Sequence, residues 1–93
     1  MNDEEYAAIL ELDFSDEFVE LMKERVVHGF KKWVPFAALR VGDRKSVTEE
    51  YTNDVIRLMK AYGSSGKPYL LGDAANYIMF LFMRATHEEK SGI

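Results

Sequence analysis

Apolar residues recur along this chain at spacings of three and four, and nowhere alternate with period two over a useful length. That spacing gathers side chains on one face of an α-helix, so the pattern predicts an all-α fold. Phe18, Leu21, Met22, Val26, Phe30 and Trp33 form the first clear series. Ser15 stands before it as an N-cap, and Asp16 and Glu17 suit the first turn, where the helix dipole favours acids. Pro35 ends or kinks this helix, which gives a span of 15–34. Phe36 to Val41 is read as at most one turn, followed by a GDRK loop. Ser46 then opens the capping box S-V-T-E, with Glu49 three residues on. The helix 46–62 carries Tyr51, Val55, Leu58 and Tyr62 on one stripe, and Gly63 is its expected stop. The loop GSSGK leads to Pro68, well placed in the first turn of a last helix, 68–88. A shorter helix from Asp3 to Leu12, capped by Asn2, is expected inside an acidic segment, 1–14.

The last helix is the densest part of the pattern. Between Ala74 and Met83 it is apolar almost all round, so it is expected to be central or shared with a second subunit. The chain therefore reads as one domain, a small bundle of three to four helices completed by oligomerisation as a homodimer or tetramer. The run from Tyr69 to Met83 is too short to span a membrane and carries Asp73 and Asn76, so it reads as core. No segment reads as a signal peptide, because the N-terminus is acidic. A buried, unpaired carboxylate is expensive. Asp73 must therefore be paired, bound to a metal, or not buried.

Composition sharpens this reading. The chain has 93 residues, 47% of them hydrophobic and 13% aromatic, which is rich enough to fold. It has no cysteine, which excludes disulfides and thiolate metal sites and suits a cytoplasmic protein. The net charge of -4 hides an asymmetry. Residues 1–22 hold eight acids and no base, whereas residues 23–45 hold seven bases against Glu24 and Asp43. The basic middle is expected either to lie near the acidic arm or to meet a small anion. Overall acidity and the lack of a binding motif argue against nucleic acid.

Candidate chemistry rests on the acids. Each helical residue turns by about 100°, so Glu50 and Asp54 share a face, as do Asp73 and Asn76. With the last two helices antiparallel, Glu50, Asp54 and Asp73 could surround one space, as a hard cation such as Mg²⁺ requires. The alternative is that Glu50 and Asp54 are solvated and that Asp73 pairs with Lys67 or Arg84. His28 and His87 have no partner at metal-ligand spacing, and GSSGK lacks the spacing of a phosphate-binding loop.

The run 73-DAANYIMFLF-82 resembles the second metal motif of the all-α nucleoside triphosphate pyrophosphatases, the MazG-like superfamily. There E-x-x-D precedes small residues, an asparagine and an aromatic. The stretch 18-FVELMKERVVHGFKKW-33 resembles the opening helix of phage-type members, and 48-TEEYTNDVIRLMKA-61 lies where the family places its E-x-x-E. The match is partial: Asn53 stands at the second acid of the first motif and Leu70 at the opening glutamate of the second. The resemblance implies a dimeric or larger bundle that hydrolyses a nucleotide, with Mg²⁺, to a monophosphate and pyrophosphate. It implies Glu50 and Asp73 as catalytic metal ligands, with Asp54 assisting the metal. Lys32 would meet phosphate, and Asn76 would orient the nucleotide. The rival expectation is a catalytically degenerate module of the same fold that serves oligomerisation or protein interaction.

Overall fold

The computed structural model describes residues 1–32 and 40–90, with side-chain surroundings for 1–31 and 40–86. Four helices follow one another: α1 Asp3–Asp13, α2 Asp16–Lys32, α3 Arg44–Ser65 and α4 Tyr69–Lys90. The all-α expectation holds, with no strand among the described residues. Trp33, Pro35, the turn expected after Phe36, and the side chains of Lys32 and His87 lie outside what is described.

α1, α2 and α3 each begin where a short polar side chain takes up an unpaired N–H. Asn2 Oδ1 accepts from Glu5 N at 2.8 Å and caps α1. Ser15 Oγ accepts from Phe18 N at 3.1 Å and starts α2, as its position predicts. The start of α3 differs from the expectation. Its cap is Asp43, whose Oδ1 accepts from Ser46 N at 2.9 Å while Ser46 Oγ donates to Oδ2 at 3.0 Å. Ser46 is thus inside the helix, and its N–H is taken before Glu49 could reach back to it. The end of α3 moves as well. The helix runs through Gly63 to Ser65, and Gly66 closes it in the left-handed region at φ 68°. The Gly66 N–H bonds to Tyr62 O at 2.7 Å.

α4 is the central element, packed on α3 along one side and on α2 along another. The contact with α3 holds most of the apolar core: Val47, Tyr51 and Leu58 from α3, with Ala74 from α4. The contact with α2 is helped by a missing side chain. A Cβ on Gly72 would stand 3.0 Å from Leu21 Cγ and 3.2 Å from Arg25 Cγ, so the absent side chain eases this close approach and any larger residue would push those two side chains aside. α1 buries none of its residues. No described helix is long and apolar enough to cross a membrane.

Candidate functional site

Asp73 lies about one turn into α4, on the side that meets α2. Its carboxylate is paired. Arg25 Nε donates to Oδ1 at 2.8 Å and Nη2 donates to Oδ2 at 3.1 Å, a two-pronged contact across the interface. The partner is neither Lys67 nor Arg84, the two bases expected from nearness in sequence. Arg25 also lies over the Tyr69 ring, 4.6 Å from its centroid, so the guanidinium has an acid at its edge and an aromatic face beneath it. The hydrogen bonds to Asp73 push its pKa above the ordinary value, against the opposing effect of burial.

A second arginine organises the other acids. Arg40 Nη2 donates to Asp54 Oδ2 at 2.5 Å, and Nη1 stands 3.5 Å from Glu50 Oε2. Its guanidinium lies 4.5 Å from the Tyr51 ring centroid and 5.7 Å from that of Tyr77. Burial lowers the Arg40 pKa, but the hydrogen bond and field of Asp54, with the nearby tyrosines, outweigh it and leave a net rise. Arg57 approaches the other Asp54 oxygen at 3.5 Å. The Tyr77 phenol, between these groups, is pushed up first by burial and then by the field of Asp54, which keeps it protonated at neutral pH. Arg84, on α4, fixes the backbone beside this cluster: Nη1 donates to Arg40 O at 2.6 Å, and Nη2 donates to Gly42 O.

Asn76 is 3% exposed. Its Nδ2 donates to Met22 O at 2.9 Å and so ties α4 to the backbone of α2. Its Oδ1 is buried and has no hydrogen-bond partner among the described residues.

The structure thus brings Glu50 and Asp54 together around Arg40 and sets Asp73 on Arg25. It does not gather the three acids around one space. Among the described residues no group of three or more His, Cys, Asp or Glu could hold a metal ion. The donor set as arranged does not fit Mg²⁺, which needs carboxylate oxygens free to face it. Asp54 and Asp73 already give theirs to guanidinium groups. Sequence reasoning missed both arginines. Arg25 carried a signal: it lies four residues after Leu21 and three after Met22, on the core side of its helix. Arg40 carried none, because it lies in a stretch without period. Compared with protein-family models, curated proteins and solved structures, the chain matches none of them.

Proposed function

We propose that this chain is a helical self-association module, the degenerate form of the bundle to which its motifs bear a resemblance. In this module the acids at the metal positions serve as structural partners of arginine. One observation carries the reading. The accessible surface is 7487 Å² for a chain of 10.7 kDa. A folded monomer of that mass exposes about 5,500 Å², so about 2,000 Å² is in excess. An obligate dimer removes about 1,000–2,500 Å² from each chain, so a second copy is a sufficient cover. The exposed surface has the matching character: Phe30 is 58% exposed and Phe82 71%. The cysteine-free composition suits a cytoplasmic setting.

One observation favours the pyrophosphohydrolase as a second reading. The Glu50 side chain is 57% exposed and touches Arg40 only at 3.5 Å, so one of the acids is still open to a ligand. Sedimentation at micromolar concentration and calorimetric titration with Mg²⁺ and Mn²⁺ separate the two. The module gives a dimer or larger species and no saturable heat. A monomer rejects the module. Saturable metal binding that is lost in Glu50→Gln restores the enzyme.

A further inference from the structure

α1 is a formed and capped helix that buries none of its apolar residues against the described part of its own chain. Tyr6, Ile9 and Leu10 fall on one stripe at i, i+3 and i+4, and all three are exposed. Asp3 and Asp13 lie on that stripe too, about one turn beyond each end of the apolar group. The stripe thus reads acid, apolar, acid.

α2 carries the counterpart. One flank, with Leu21 and Arg25, faces α4. The flank turned away from it holds Val26, Val27 and Phe30, 37%, 54% and 58% exposed. Lys23 and Lys31 stand at its two ends, both exposed. The Lys23 contact with Glu20, at 3.1 Å, joins two groups that are about two-thirds exposed, so it offers little resistance to exchange. This stripe reads base, apolar, base. Asp3 and Asp13 are about 15 Å apart along their helix, and Lys23 and Lys31 about 12 Å along theirs. Both charged ends can therefore be met while the apolar centres touch.

We infer that α1 of one copy docks on the Lys23–Lys31 flank of α2 in a second copy, reciprocally about a two-fold axis. This rests on the self-association proposed above and names its interface. Chain geometry argues against the same contact within one copy. Only Phe14 and Ser15 separate the two helices, and α1 is 11 residues long, about 16 Å. Folded back on its own α2, it ends near Val27, whereas Lys31 lies about 22 Å from the start of α2. Phe30 and Lys31 then stand past the end of α1, so the two stripes overlap only in part, whereas a second chain can lie along the whole flank. A reciprocal pair of such contacts also closes the assembly, since each copy gives one acidic helix and receives one.

The chain has no cysteine, so single cysteines can report the contact. Ile9→Cys and Val27→Cys are each made alone, at exposed positions, and the two chains are mixed and oxidised. The inference expects the mixed disulfide, which joins one Ile9→Cys chain to one Val27→Cys chain, to dominate over either like pair. Lys23→Glu with Lys31→Glu should weaken dimerisation by about tenfold or more through like-charge opposition. Mixing that variant with an Asp3→Lys, Asp13→Lys chain should recover the dimer, with each chain meeting its complement. A dimer by sedimentation whose disulfides form without preference for the mixed pair, or whose affinity ignores the lysine reversals, overturns the docking and leaves self-association standing. A monomeric parent chain overturns both.

Discussion

Asp73 and Arg25 meet through two oxygens and two nitrogens, at 2.8 and 3.1 Å, with each side chain a little over one-fifth exposed. Water is too scarce there to replace a lost partner fully. Asp73→Asn should therefore cost about 1–3 kcal/mol, the range for removing one partner of a buried polar pair. A double-mutant cycle with Arg25→Met checks the cause. Paired residues should couple by more than about 0.5 kcal/mol, whereas independent ones add within that margin. Millimolar Mg²⁺ should leave the unfolding midpoint unmoved in both proteins. A midpoint raised by metal in the parent and not in Asp73→Asn would make the acid a ligand. The need for a partner was legible in the sequence, because a carboxylate in so apolar a run cannot stay alone. Its identity was less so. Lys67 and Arg84 are close along the chain, but Arg25 is 48 positions away and meets Asp73 across the α2–α4 contact, beside Gly72. Arg40 depends in the same way on tertiary approach, with Arg84 holding its carbonyl.

At the scale of elements, the sequence marked all four helices but misplaced both ends of α3. The stretch 43-DRKS-46 offers an acid cap three residues before the Ser46 box, and a carboxylate at that end also gains from the helix dipole. At the other end Gly63 and Gly66 compete. Pro68 follows Gly66 by two residues, the usual interval after a left-handed stop, and that distinguishes them. The cap makes α3 sensitive to acid. Hydrogen bonds from the Ser46 backbone N–H and hydroxyl hold the Asp43 carboxyl below its ordinary value of 3.8. The folded chain thus binds this proton less tightly than the unfolded chain. The stabilisation is complete well above the ordinary value and is lost as pH falls through the lowered one. Asp43→Ala should therefore lower the urea midpoint at pH 7, and the gap from the parent should narrow below about pH 4. A gap of constant size across that range would mean that the carboxylate charge plays no part in the cap.

At the scale of the whole molecule, the radius of gyration is 15.5 Å. A compact chain of this length measures about 12 Å, so these helices are more open than a single globule. The reason lies in the core. Among the described residues only Val47, Tyr51, Leu58 and Ala74 are buried apolar side chains, against 47% hydrophobic content along the chain. Each fully buried large apolar side chain contributes about 1.5–3 kcal/mol, while ordering each residue costs about 1–2 kcal/mol of backbone entropy. With the other described apolar side chains of the bundle at best partly buried, four helices have little to hold them in a single copy. Folding should therefore be coupled to assembly, a stronger claim than reversible pairing of stable monomers. The distinction is measurable. When unfolding also dissociates a dimer, mass action adds about 1.4 kcal/mol for each tenfold rise in concentration. For a unit of about 190 residues that raises Tm by about 3–5 °C. Thermal unfolding followed from 1 to 100 μM, a range of about two decades, should show twice that rise. A Tm that stays flat across the range, in a chain that still sediments as a dimer, would mean that each copy folds alone and that the excess surface serves only weak association.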